Sequence, residues 1–178
     1  MPIEEKTLKS ERIYEGKIIN LRVDTVELPN QKYSKREIVE HGSAVGILAI
    51  TGEQKIILVK QFRKPVEEAI IEIPAGRVEA NESPKECALR ELKEETGFTA
   101  TNIKKILEFY TTPGFSNEIM HIYLAMNPQK GTPQPDEDEN IKIIYLDIKD
   151  AIHKIIKGKI KDSKTILSIL AYDRHLNM

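Results

Sequence analysis

The sequence predicts an α/β (α+β) protein: a mixed β-sheet sandwiched between helices, preceded by an N-terminal antiparallel sheet. Three observations predict it. Residues 7–41 read as extended stretches separated by turn residues. A nearly all-apolar run, Ser43 to Thr51, is followed at once by a second apolar stretch, Lys55 to Phe62, as for strands buried on both faces. Three segments that begin near Ser83, Ile148 and Asp162 carry the apolar spacing and end signals of helices.

Taken in order, Thr7 to Tyr14 and Lys17 to Leu28 are strand-like and meet at Glu15-Gly16, a hairpin turn. Ile19, Leu21, Val23, Thr25 and Val26 give the second stretch partial period-2 alternation. Pro29-Asn30 turns the chain into a third strand, Tyr33 to His41. Gly52-Glu53 turns it again between the two buried strands, and Ala69 to Pro74 is a short strand running into Ala75-Gly76. The helix that follows has Ser83 as N-cap, Pro84 at its first position and Glu86 three residues after the serine, which makes a capping box, and Gly97 stops it. Ala88, Leu89 and Leu92 form its packing face. Ile103 to Thr111 is a strand, Pro113-Gly114 a turn, and Ile119 to Met126 another strand. Asn127 to Asn140 is rich in proline and acidic residues and reads as a loop, and loops of this length inside a compact domain are often lids. A strand at Ile141 to Leu146 precedes helices at Ile148 to Lys157 and Asp162 to Arg174. Residues 1–42 are expected to form one segment and 43–178 a second, larger domain.

Composition narrows the function classes. A length of 178 residues suffices to bury a real core. A net charge of −1 gives no electrostatic case for binding nucleic acid or an anionic membrane. There is no apolar run long enough to span a bilayer, and the first residues lack the apolar centre of a secretory signal. A lone cysteine, Cys87, excludes an internal disulfide and fits a reducing, cytoplasmic setting, with the thiol as a small packed side chain. The four histidines lack metal-ligand spacing.

The chemistry concentrates on the first helix. Glu91, Glu94 and Glu95 stand at i, i+3 and i+4, so their carboxylates share a face, and neither Glu91 nor Glu95 has a Lys or Arg three or four positions away. Crowded carboxylates raise one another's pKa unless a cation joins them, and the simplest such cation is a hard divalent ion with oxygen ligands, Mg²⁺ or Mn²⁺. Arg90 lies four residues from both Glu86 and Glu94 and is placed to orient the glutamates. Three glutamates alone would describe an ordinary solvated helix face.

The wider pattern argues otherwise. Gly76, Glu82, Arg90, Glu91, Leu92, Glu94, Glu95, Gly97 and Phe98 match G-x5-E-x7-R-E-U-x-E-E-x-G-U, where U is a bulky apolar residue. Average residue frequencies produce that match on the order of once in 10⁹ windows. The sequence resembles the Nudix hydrolases, and the resemblance extends to most of the chain. Gln61-Phe62-Arg63 resembles a segment of the ADP-ribose and nucleotide-sugar enzymes whose arginine grips the diphosphate. Pro113, 15 residues past the box, resembles the mark of the ADP-ribose pyrophosphatase branch.

That resemblance implies the Nudix fold and hydrolysis of ADP-ribose to AMP and ribose 5-phosphate, supported by two or three Mg²⁺ ions. The implied metal ligands are the Ala75 carbonyl, Glu91, Glu94, Glu95 and Glu139. Glu137 is implied as the general base, although Glu137 and Glu139 are not separated by sequence. Arg36, Arg63, Gly76, Pro113 and Glu118 are implied in substrate binding, with Arg36 reaching the site of a partner subunit in a homodimer with swapped N-terminal strands. GDP-mannose and a flavin dinucleotide are alternative substrates that keep the same box, and a non-catalytic ADP-ribose sensor is a third possibility. Glu82 is expected to support the loop or an outer water, and Glu72 to serve either structure or substrate.

Overall fold

The computed structural model describes residues 3–132 and 140–176. Its first compact unit comprises Met1–Ser43 with Phe109–Ile119. Three antiparallel strands, β1 (Lys6–Glu15), β2 (Ile19–Glu27) and β3 (Tyr33–His41), form a sheet in that order. Their register runs from Lys6 opposite Glu27 to Glu15 opposite Asn20, and from Ile19 opposite His41 to Glu27 opposite Tyr33. β1 is exposed along its whole length. β2 buries Asp24, which accepts from the Ser10 hydroxyl at 2.6 Å and pairs with Arg22. A parallel bridge between Val39 and Ser116 attaches the Pro113 turn to β3.

The second unit, Ala44–Glu108 with Met120–Met178, contains the main sheet. β4 (Ala44–Ile50) is buried at every residue, as its apolar sequence requires. It pairs in parallel with β10 (Ile119–Met126) and antiparallel with β5 (Lys55–Arg63), so the sheet is mixed. Including β9 (Ile103–Tyr110) and β12 (Lys142–Asp147), the strand order is β12-β5-β4-β10-β9.

The expected single strand from Ala69 to Pro74 is two. β6 (Glu68–Glu72) pairs with β5, and β7 (Ala75–Arg77) pairs with β4. Pro74 has no N–H for a ladder, so pairing breaks there and the chain changes partner. Two short strands were not foreseen: β8 (Phe98–Thr99) and β11 (Gln129–Lys130) pair with each other at the start of what reads as loop. A single 3-10 turn at Lys64–Val66 joins β5 to β6.

Helix α1 (Pro84–Thr96) has the capping box that its sequence predicts, and Gly97 ends it in the left-handed region at φ 74°. Its buried residues Cys87, Ala88 and Leu92 meet Val45, Ile47, Ala49, Ile57, Phe98, Tyr123 and Ala125 in one core. Burying a side chain such as Leu92 there contributes about 2 kcal/mol, which holds the helix against the sheet and thereby fixes its carboxylates. Leu89 is only half-buried. Two more helices, α2 (Ile148–Ile156) and α3 (Ser163–Leu176), complete the fold, and both α1 and α3 pack on β4. Among the described residues no helix is long and apolar enough to cross a membrane.

Candidate active site

The site is built where β7 meets α1. The Ala75 N–H donates to Glu95 Oε2 at 3.2 Å, and Glu95 is only 3% exposed. The carboxylate of Glu91 rests on Gly76: a Cβ added to that glycine would lie 1.8 Å from Glu91 Oε1 and 2.0 Å from its Cδ. Gly76 is therefore a glycine because a glutamate of the box occupies the space of its side chain.

Arg90 organises the remaining charges. Its Nη1 donates to Glu91 at 2.7 Å and to Glu94 at 2.9 Å, while Nε and Nη2 hold the two oxygens of Glu82 at 2.8 and 3.0 Å. Nη2 also reaches the Arg77 carbonyl at 3.2 Å. Two sequence expectations need correction here. Glu86, four residues before Arg90, is not its partner, because Glu86 accepts from the Ser83 N–H to close the capping box. Glu91 does have a cationic partner, the adjacent Arg90, which a search at helical spacing cannot find because a long guanidinium can curl back to its neighbour.

Glu82 accepts from Arg90 and from the Glu79 N–H at 3.1 Å, so it ties the loop to the helix. Chiefly through Arg90, its carboxyl is held down at about 2 against an ordinary 4.5. A carboxylate with a lowered folded pKa stabilises the fold above its unfolded value and loses that contribution as pH falls towards the folded one. Stability is thus expected to drop between pH 4.5 and about 2, and Glu82→Gln to flatten that limb in urea denaturation over a pH series. Cys87 is buried, donates to the Arg77 carbonyl at 3.2 Å and has its thiol pushed up to about 12 by burial, consistent with a packed rather than a nucleophilic group.

Arg63 ends β5 within electrostatic reach of Glu95. Its Nε and Nη2 donate to Glu72 at 2.7 and 2.8 Å. Glu72, left undecided by sequence, is a 1% exposed carboxylate that holds this arginine.

Arg36, Pro113 and Glu118 belong to the first unit. Arg36 is taken by Glu5, with Nε and Nη2 donating at 2.9 and 2.6 Å. Glu118 accepts from the Thr111 hydroxyl at 2.6 Å and lies 3.2 Å from His41 Nδ1, two partners that spacing did not reveal. Glu137 and Glu139 lie outside the described residues.

The oxygen donors at β7 and α1 are of the type a hard divalent cation takes. Arg90 pairs with Glu91 and Glu94, so an entering cation would share those carboxylates with it. Among the described residues no group of three Asp, Glu, His or Cys side chains is arranged to hold a metal ion. Mg²⁺ does not need one, since it commonly takes one or two carboxylates and completes its shell with water and substrate phosphate.

Comparison with known proteins identifies the family. The model of the NUDIX domain matches residues 40–167, and that of the nucleoside diphosphate sugar hydrolase N-terminal domain matches residues 5–39. The chain belongs to the NUDIX family. This NUDIX chain is 50% identical to an ADP-ribose pyrophosphatase of Bacillus subtilis, covering 94% of the chain and 91% of that protein. It is 46% identical to a methanol dehydrogenase activator of Bacillus methanolicus, over 93% of the chain and 91% of that protein. A crystal structure of an ADP compounds hydrolase superposes with a TM-score of 0.88 at 19% identity, over 98% of this chain and 95% of that one, which shows the shared fold. The chain is accordingly a NUDIX hydrolase acting on phosphorus-containing anhydrides.

Proposed function

We propose that this NUDIX hydrolase splits the pyrophosphate bond of ADP-ribose, adding water to yield AMP and ribose 5-phosphate. The observation that carries the reading is the seating of Glu91 on Gly76 and Glu95 on Ala75 in a chain so close to an ADP-ribose pyrophosphatase.

Glu91, Glu94, Glu95, the Ala75 carbonyl and Glu139 would hold two or three Mg²⁺ or Mn²⁺ ions. Such ions, when bound, neutralise diphosphate charge and make water more acidic. Glu137 takes the proton from the attacking water. Arg63 binds diphosphate oxygens with the donors that Glu72 does not use. Gly76, Pro113 and Glu118 are each assigned to substrate binding, Glu118 to a ribose. Arg90 keeps Glu91 and Glu94 oriented.

The protein would act as a cytoplasmic homodimer whose N-terminal segment, residues 1–42, pairs with its copy and delivers Arg36 to the neighbouring site. Support comes from β1, an edge strand with Leu8, Ile13 and Tyr14 each about half exposed. A monomeric mass on sedimentation would remove Arg36 from the site.

The deciding assay follows AMP release from ADP-ribose, GDP-mannose and a flavin dinucleotide with Mg²⁺, then with EDTA. ADP-ribose is expected to give the highest kcat/KM and EDTA to abolish turnover. A higher value for another compound would move the substrate, and no product from any would leave the sensor. A second reading rests on the identity to the methanol dehydrogenase activator: the chain also stimulates a dehydrogenase. Unchanged turnover of methanol dehydrogenase on adding it would remove that reading.

A further inference from the structure

Glu72 serves two cations. Its Oε2 accepts from Arg63 Nη2 at 2.8 Å and from Lys164 Nζ at 2.6 Å, while Oε1 accepts from Arg63 Nε at 2.7 Å. Lys164 comes from α3, 92 residues away in sequence, and its side chain is 12% exposed. Lys164 also donates to Asp162 Oδ1 at 3.0 Å, and Asp162 Oδ2 accepts from the Thr165 N–H at 3.0 Å. The Lys164 ammonium is thus held between two carboxylates before any ligand arrives. Arg63, in contrast, has a side chain 42% exposed, with its Nε–Nη2 edge turned to Glu72. A guanidinium held by one edge keeps Nη1 for a ligand.

We infer that Lys164 is a positioning residue for diphosphate binding, acting on Arg63 through the carboxylate of Glu72. The inference rests on the proposed role of Arg63 as the diphosphate grip. Two physical effects make Lys164 matter. First, Lys164 offsets part of the negative charge of Glu72, so that charge opposes a phosphate approaching Arg63 less. Second, Oε2 is pinned by Lys164, so the plane of the carboxylate is fixed, and the bidentate pair passes that plane on to the guanidinium. Burial raises the pKa of Glu72, yet Arg63 and Lys164 together outweigh it and keep the group ionised.

A purely structural staple between α3 and β6 would use the same bonds, so the test must separate the two. Ile169 supplies the control. It is a fully buried apolar side chain of the same helix and takes no part in these polar contacts. The measurements are the Kd for ADP-ribose by calorimetry without added metal, KM and kcat with Mg²⁺, and Tm, all on the full chain. Lys164→Met is expected to raise both Kd and KM about tenfold with kcat little changed, the pattern of lost binding shared by ground and transition states. Lys164→Arg should restore most of the loss. Ile169→Ala should lower Tm and leave Kd alone. In an Arg63→Ala background, Lys164→Met should no longer change Kd, because its route to the ligand is gone. Lys164→Gln, which keeps a donor without the charge, carries the test if Lys164→Met does not fold.

A lowered Tm with unchanged Kd and KM would make Lys164 a staple and overturn the inference. So would a loss of binding that persists without Arg63. If Arg63→Ala itself leaves binding unchanged, the assigned grip is wrong and the inference falls with it, a signature distinct from the other two.

Discussion

Glu95→Gln is expected to leave the fold intact and to lower kcat by about three orders of magnitude, equivalent to about 4 kcal/mol of transition-state stabilisation. The substitution keeps the volume of a side chain that is 3% exposed, and the amide oxygen can still accept from the Ala75 N–H. What it removes is a negative charge at the meeting of β7 and α1. Circular dichroism and Tm should therefore be near those of the unaltered protein. Removal of one carboxylate from a crowded set also relieves repulsion, so a small rise in Tm is the expected direction. Mn²⁺ affinity by calorimetry should fall in parallel with kcat. Near-normal turnover with saturating Mg²⁺ would show that Glu95 is not part of the metal-binding set.

Gly76→Ala should have an effect nearly as large without changing any charge. Gly76 is not among the residues with positive φ, so alanine meets no backbone penalty there. The cost is purely one of space: the methyl would fall inside the carboxylate of Glu91, 2.0 Å from Cδ. Glu91 must swing away, which breaks its 2.7 Å contact with Arg90 and removes it from its seat on Gly76. A fall in kcat of about 10²-fold is expected, the size typical of displacing one electrostatic group in a reacting site. Gly114→Ala, where nothing lies within 4 Å of the added atom, is the control and should be silent. Equal and small effects at both glycines would mean that the position of Glu91 does not matter to the reaction.

Much of the fold was legible because its signals are local. The strands Tyr33–His41 and Ile119–Met126 fall where alternation and turn residues place them, and the capping box and Gly97 delimit α1 almost to the residue. The partner change at Pro74 was half legible: proline announced a break, but nothing local says which strand the chain joins next. The two-residue strands Phe98–Thr99 and Gln129–Lys130 are too short to carry a period, and each exists only because the other is there.

The site divides along the same line. The box residues were readable from spacing on one helix, since helical geometry converts sequence distance into a shared face. The contacts that hold them were not. Arg90 chooses Glu82 across a loop and Glu91 beside it, Glu72 binds Arg63 on the neighbouring strand, and Lys164 arrives from the last helix. Such partners are set by tertiary packing, and a single sequence holds no signal for them beyond the presence of a charged residue in a buried stretch.

The capping box has an effect that reaches beyond the end of its helix. Glu86 sits one helical turn from Arg90 and is the counter-ion that a bare helix would offer it. By committing Glu86 to the N–H of Ser83, the first turn withdraws that offer. Arg90 is then available for the carboxylates that matter, Glu82, Glu91 and Glu94. Closure of the capping box and the order of the charge network are consequently coupled: with Glu86 uncommitted, Arg90 would have a competing carboxylate one turn away.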